Sequence, residues 1–360
     1  PNPSTGSSWF TLDDEDHEDQ AGWEIPRRNH WVTAIVVAKD GATWLPGVLT
    51  TLAEQLRAPD AVVGVDNASN DSSALMLEES LGPARVVRNS VNAGFGGAVD
   101  EGVRILGAPV AGEGTVEWLW LLHDDSAPDP SCLEALLLAA DMFPTTAILG
   151  PKILGWHDRR LLLEVGVSVN ADGRRITGLE RREHDQGQHD GIREVLAVST
   201  AGMLIRRDVF TELKGFDPHL PLFRDDLDLC WRAWQRGHQV RVATDAIVHH
   251  REASAHGRRI GEVHPLRDDR EAGAQVLLAH APAWQAPFVA LRLLLGSAIR
   301  GLVYVVGKDL RAARDEVMAV VGVAIHPGDL VASRSLAREG ATESAATVRA
   351  LRPSTLDQLK

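Results

Sequence analysis

The sequence has 360 residues, 44% hydrophobic and 24% charged, the balance of a globular chain that can bury one large core, with or without an appendage. Its net charge of −13 excludes nonspecific binding to nucleic acid, because a phosphate backbone is repelled over most of such a surface. Cys132 and Cys230 lie in apolar helical patterns with no metal-ligand spacing and no disulfide framework, so they read as core residues in a reducing compartment.

In chain order, residues 1–28 are polar and acidic ("TLDDEDHEDQ"), a flexible arm with Trp9 and Trp23 as docking anchors. A chain that opens at Pro1 without an initiator Met is expected to have its native N-terminus removed or lying upstream, and its abrupt entry and exit fit a part of a longer membrane protein. From residue 31 the pattern alternates. "WVTAIVVA", "AVVGVD", "ARVVRN" and "VEWLWLLHDD" are short apolar strands. "TWLPGVLTTLAEQL", "SALMLEESL", "GGAVDEGVRIL" and "PSCLEALLLAADMF" have helical spacing. Strands that are apolar throughout imply a parallel sheet covered on both faces, a doubly wound α/β domain. Ligands in such folds sit at the carboxyl ends of the strands. The polar residues fall there: Lys39-Asp40, Asp66-Asn67, Asn89 to Asn92 and His123-Asp124-Asp125.

Residues 151–200 read as a less regular, antiparallel insertion, with a hairpin turn at Asp172-Gly173. "QVRVATDAIVHH" is a last strand that delivers His249 and His250. Residues 268–330 are apolar but interrupted by Arg292, Arg300 and Lys308, either core-packing helices or a pair lying on a membrane surface. No uncharged apolar run reaches the roughly 18 residues of a membrane span.

Adjacent carboxylates at "LLHDDSAPDP" stay ionised together only beside a cation, and carboxylate oxygens favour hard ions such as Mg²⁺ or Mn²⁺. A solvated turn capping the next helix is the alternative. Asp66 can accept from a ribose hydroxyl or a base N–H, or can belong to an Asx turn. "VRNSVNAGFGGAVDEG" lacks the P-loop ending and the GxGxxG spacing, so its glycines allow a close ligand or merely a tight turn. The chain holds 14 His, so the adjacency of His249 and His250 carries little alone. In "LFRDDLDLCWRAWQRGH", Leu227, Cys230, Trp231 and Trp234 share one buried helix face and Asp228 pairs with Arg232 on the opposite one. Asp225 and Asp226 are left at the entrance, as caps or as holders of a proton or a cation.

Taken in order, "TAIVVAKDGATWL", "VVGVDNASNDSS", "NAGFGGAVDEGV", "WLWLLHDDSAPDP", "TAGMLIRRDVFTELKGFDP", "FRDDLDLCWRAWQRGH" and "AIVHH" resemble a family 2 glycosyltransferase of the GT-A fold. The nearest branch is rhamnosyl- and galactofuranosyl-transferase-like, over residues 31–252. The resemblance implies a Rossmann-like, mostly parallel sheet flanked by helices, with a C-terminal helical appendage. It divides the chain into a catalytic domain over 29–265 (nucleotide half 29–150, acceptor half 151–265), a helical region over 266–335 and a tail over 336–360.

It implies that Ala38, Asp40, Asp66, Asn67, Asn92, Gly94, His123 and Asp124 line the nucleotide. Asp125 and His249 would hold Mg²⁺ or Mn²⁺ on the donor diphosphate. Asp226 would be the general base with Asp225 beside it, and Gly202 and Trp231 would meet the donor or acceptor sugar. His123 departs from the family's pattern, standing where the first acid of the DxD triplet is usual. The implied partners are a nucleotide-diphosphate sugar and a glycan or lipid-linked acceptor of the cell envelope, at the cytoplasmic face of a membrane. A sugar-phosphate nucleotidyltransferase and a noncatalytic sugar-binding module with a degenerate site are the rival readings.

Overall fold

The computed structural model describes residues 27–109, 112, 114–220, 223–253, 264–343 and 345–352. The arm read over residues 1–28 lies almost wholly outside them, as does the end of the tail. The first half alternates as its sequence does: β1 (Asn29–Ala38), α1 (Leu45–Ala53), β2 (Ala61–Asp66), α2 (Ser73–Leu81), β3 (Val86–Arg88), α3 (Gly94–Leu106), β4 (Thr115–His123), β5 (Ser126–Pro128) and α4 (Cys132–Met142). β1 pairs in parallel with β2 and with β4, and β2 with β3. Successive side chains of a strand point to opposite faces, so one apolar run feeds two core layers. Ile35 and Val37 of β1 enter one layer; Val32, Ala34, Val36 and Ala38 enter the other.

The second half is mixed: β6 (Thr146–Gly155), β7 (Leu162–Glu164), β8 (Ser168–Val169), β9 (Arg175–Ile176), β10 (Ile192–Glu194), β11 (Leu204–Arg206), α5 (Arg207–Glu212), α6 (Asp225–Gln235) and β12 (Gln239–His250). The main sheet runs β10-β12-β6-β11-β4-β1-β2-β3, mostly parallel, with β11 inserted antiparallel between β4 and β6. β8 and β9 form the hairpin expected around Asp172-Gly173. One pairing matters for the site: β5, immediately after Asp125, runs antiparallel to the end of β12 and sets Ser126 opposite His250. Segments far apart in the chain are thereby stitched together.

Helices α7 (Pro265–His280), α8 (Ala286–Val306), α9 (Leu310–Ile325), α10 (Pro327–Arg338) and α11 (Ala345–Ala350) follow. They change the reading of α6, which is buried on every side from Asp225 to Trp234. Asp228 and Arg232 are not on an open face. Arg232 Nε donates to Asp228 at 2.7 Å, while Nη1 and Nη2 donate to the carbonyls of Leu213 and Gly215 at 2.7 and 3.0 Å. His280 of α7 bonds the other Asp228 oxygen at 2.8 Å and stacks on Trp231 with ring centroids 4.5 Å apart.

α8 is unlike the rest. Its 21 residues are long and apolar enough to cross a membrane, yet only Leu293, Ser297 and Gly301 of it are buried. Leu291, Leu294, Leu295, Ile299, Leu302 and Val303 are all more than half exposed. The two arginines that interrupt its apolar run are tied inward, Arg292 to the carbonyl of Ala171 and Arg300 to Glu316.

Candidate active site

β4 carries His123 to the sheet edge, and the turn into β5 sends the next two acids in different directions. Asp124 turns inward, accepting the Lys39 backbone N–H at 2.8 Å. Its carboxylate lies 2.0 Å from where a Cβ on residue 41 would stand, so only glycine fits at Gly41. Asp125 turns toward β12. Its Oδ1 is 3.2 Å from His250 Nε2 and 4.0 Å from His123 Nδ1, and its Oδ2 accepts the Ala253 N–H at 2.9 Å. His123 Nε2 meets Thr200 Oγ1 at 2.9 Å. Ligand atoms of His123, Asp125 and His250 all lie within 4.8 Å of one another, so the three form a group that could hold a cation.

The histidine beside Asp125 is therefore His250, and the placement expected for His249 is corrected by one residue. Alternation along β12 sends His249 to the other face. There it is buried, with Nδ1 3.2 Å from the Gly155 carbonyl and Nε2 3.1 Å from Asp129. Burial, against the pull of Asp129, lowers its pKa. His250 shifts the opposite way: burial lowers it, but the Asp125 charge and hydrogen bond outweigh that.

The ends of β2, β1 and β4 lie level, with Asp66 opposite Ala38 and His123 opposite Val37. Asp66 is buried; its Oδ2 accepts from Ser69 N–H at 3.3 Å, while its Oδ1 has no hydrogen-bond partner among the described residues. An orphaned buried acceptor at a strand end fits a ligand hydroxyl or N–H. Asp40, in the left-handed region at φ 49°, accepts from Asn70 N–H at 2.6 Å and pairs with Lys39. Ala38 is fully buried in the sheet. Asn67, Asn92 and Gly94 form one network: the Asn67 amide donates to Asn92 Oδ1 at 2.8 Å and to the Gly94 carbonyl at 3.0 Å. They shape the loop that presents Phe95, whose ring lies 4.4 Å from that of His123.

At the entrance of α6, Phe223 and Arg224 are both left-handed, at φ 64° and 60°. Such residues cost on the order of 1 kcal/mol or more each and persist where surroundings impose them. Arg224, nearly fully buried, is held by Asp269 of α7 at 2.7 Å. The bend drives Asp225 and Asp226 into a cleft of about 200 Å³ whose walls also include His123, Asp125, His250 and Arg175. The candidate cation group and the paired acids thus face one space. Asp226 Oδ2 accepts from Arg175 Nη1 at 2.7 Å, and Arg175 makes a two-pronged contact with Glu164 at 2.8 Å on both arms. Burial first, then the charge of Asp226, pushes the Asp225 carboxyl up to about 7.

Arg175 and Glu164 were missed because the hairpin pattern around them says nothing of what the strand end faces; the Arg174-Arg175 doublet after the turn was the available signal. Gly202 and Trp231 are not among the residues that line this cleft. Gly202 sits at φ 120° where a Cβ would strike Pro151 and Val248 at 2.8 and 2.9 Å, and Trp231 is covered by His280. Ser199 and Thr200 reach the cleft instead.

Residues 28–262 match the family model described as glycosyltransferase like family 2. The chain is 26% identical over 239 residues to N-acetylglucosaminyl-diphospho-decaprenol L-rhamnosyltransferase of Mycobacterium tuberculosis, covering 59% of this chain and 75% of that protein. It is 26% identical over 240 residues to the O-antigen biosynthesis protein RfbC of Myxococcus xanthus, covering 64% of this chain but 18% of RfbC. Among solved structures, GalNAc-T7 with UDP, GalNAc and Mn²⁺ shares the fold with a TM-score of 0.53 at 15% identity. That match covers 73% of this chain, which spans half the length of GalNAc-T7 (50%).

Proposed function

The chain belongs to glycosyltransferase-like family 2, and from that premise we propose that it moves a sugar, with inversion, from a nucleotide-diphosphate donor to a hydroxyl of a lipid-linked cell-envelope glycan. One observation carries this reading: the paired acids of α6 and the His123–Asp125–His250 group share a cleft at the carboxyl edge of the sheet.

The Asp66 oxygen without a partner among the described residues accepts a hydrogen bond from the donor's nucleoside, with Asp40 and the Asn67–Asn92 loop shaping that end. His123, Asp125 and His250 would hold the divalent ion; two imidazole nitrogens and one carboxylate oxygen fit Mn²⁺ better than Mg²⁺, which prefers oxygen alone. When bound, the ion offsets negative charge growing on the leaving diphosphate. Asp226 receives the proton of the attacking hydroxyl from the side opposite the leaving group. Arg175, itself locked onto Glu164, fixes the direction of that carboxylate. Asp225, raised to about 7, keeps a share of a proton near neutrality and limits repulsion within the pair.

Incubation with a panel of nucleotide sugars and Mn²⁺ is expected to release nucleoside diphosphate. Release of pyrophosphate from a nucleoside triphosphate would instead make the protein a nucleotidyltransferase. For the ion site, His250→Ala is expected to weaken Mn²⁺-dependent nucleotide binding by about tenfold or more in calorimetry. His249→Gln is expected to lower the melting temperature and keep the Mn²⁺ response. The reverse pattern would return the ligand role to His249.

The uncovered apolar side of α8 is proposed to rest on a bilayer bearing anionic headgroups, which the exposed Lys308, Arg311 and Arg314 at the turn into α9 complement. On this reading the cleft works beside a lipid-linked acceptor at the cytoplasmic face of the membrane. Flotation with anionic vesicles is expected to carry the protein upward; recovery of all of it in the bottom fraction would refute this placement.

A further inference from the structure

The turn of the β8–β9 hairpin meets α7, α8 and α9 around one buried carboxylate, Glu316. Its two oxygens accept Arg270 Nε at 3.0 Å and Arg300 Nε at 2.9 Å. Arg174 adds a further guanidinium to this already shared charge. Burial and the charges of Arg270 and Arg300 all disfavour its cation, and Glu316 only partly compensates. Arg174 Nε is buried without a hydrogen-bond partner among the described residues. The side chain as a whole is half-buried, so this unshared charge is open to an anion from outside.

The position of this group gives that anion an address. On one side Arg174 is the chain neighbour of Arg175, which grips Asp226 in the cleft. On the other, Arg292 of α8 bonds Ala171 in the same turn, and Gly296 of α8 lies against Arg300. The cationic group thus touches the uncovered apolar helix through Arg300 and is one residue along the chain from the arginine that grips Asp226. Planar guanidinium forks match phosphate oxygens, and several together suit a diphosphate.

We propose that Arg174, with Arg270 and Arg300, binds the diphosphate of a polyprenyl-linked acceptor, holding its lipid toward α8 and its sugar toward Asp226. The proposal rests on the reading of the protein as a transferase to a lipid-linked acceptor, but its test uses no donor sugar. The full chain and Arg174→Gln are compared for binding to phosphatidylcholine vesicles carrying either phosphatidylglycerol or a polyprenyl diphosphate, at matched surface charge.

The wild type is expected to prefer the polyprenyl diphosphate vesicles by about tenfold, from two or three charge-assisted contacts. Arg174→Gln is expected to lose that preference and keep its affinity for phosphatidylglycerol, and Arg174→Lys to retain part of it. Mn²⁺-dependent nucleotide affinity is expected to be unchanged in both variants, whose melting temperatures show that they fold. Undiminished preference in Arg174→Gln would overturn the proposal. So would equal loss on both vesicle types, which marks a general headgroup contact, or loss of nucleotide affinity, which marks a donor contact. Preserved vesicle discrimination in a chain that cleaves no nucleotide sugar would remove the transferase reading and leave the diphosphate site standing.

Discussion

Asp226→Asn is expected to lower the rate of sugar transfer about 10³-fold while leaving Mn²⁺-dependent nucleotide affinity within about twofold. The amide matches the carboxylate in shape but keeps a single acceptor: its oxygen can stay on Arg175 Nη1 (2.7 Å), while its NH2 replaces the oxygen that accepts the Leu227 N–H (2.7 Å). Arg175 also keeps both arms on Glu164. What disappears is the lone pair that takes the proton. Initial-rate measurements beside calorimetry separate the two effects, and equal loss of rate and nucleotide affinity would remove Asp226 from the base role.

Asp225→Asn is the companion. A carboxyl raised to about 7 favours the fold most below its unfolded value near 3.8, and that contribution is lost as pH rises through about 7. The amide should flatten this part of the stability profile in denaturant titrations between pH 5 and 8.

Arg232→Leu is expected to cost about 3–5 kcal/mol of folding free energy, because it strands a buried charge. Among the described residues Asp228 would keep only His280, and the carbonyls of Leu213 and Gly215 would lose the Arg232 donors. The acid limb follows from the same group. Burial raises the Asp228 pKa, but the charge of Arg232 and the His280 hydrogen bond outweigh it and bring it down to about 2. Its folded value is depressed, so the stability it confers is present above about 3.8 and is lost as pH falls toward about 2. Urea titrations at pH 3 and pH 6 should differ less for Asp228→Asn than for the wild type. An unchanged difference would assign acid sensitivity to other carboxylates.

The strand–helix alternation and the gathering of Asp66, His123 and Asp125 at strand ends were legible because both depend on local pattern. Pattern fixes that one of His249 and His250 faces Asp125; which one depends on the register between β5 and β12, a pairing that no spacing records. Arg175 meets Asp226 from 51 positions away, and His280 meets Asp228 from 52, so neither partner was visible around the motif itself. Gly202 was read as room for a ligand, but its φ of 120° and its neighbours Pro151 and Val248 explain the glycine without one. For α8, apolar spacing alone fits a buried helix or a surface one, and only the packing of its neighbours decides which side stays bare.

The two left-handed residues before α6 have a practical corollary. Arg224 holds that bend through Asp269, and His280 braces the helix behind it, so both fastenings come from α7. A fragment trimmed at the end of the sheet, around residue 264, would discard the clamp along with the apolar helices. Such a shortened protein should bind nucleotide yet turn over poorly, and its failure would say nothing about whether lipid attachment is needed.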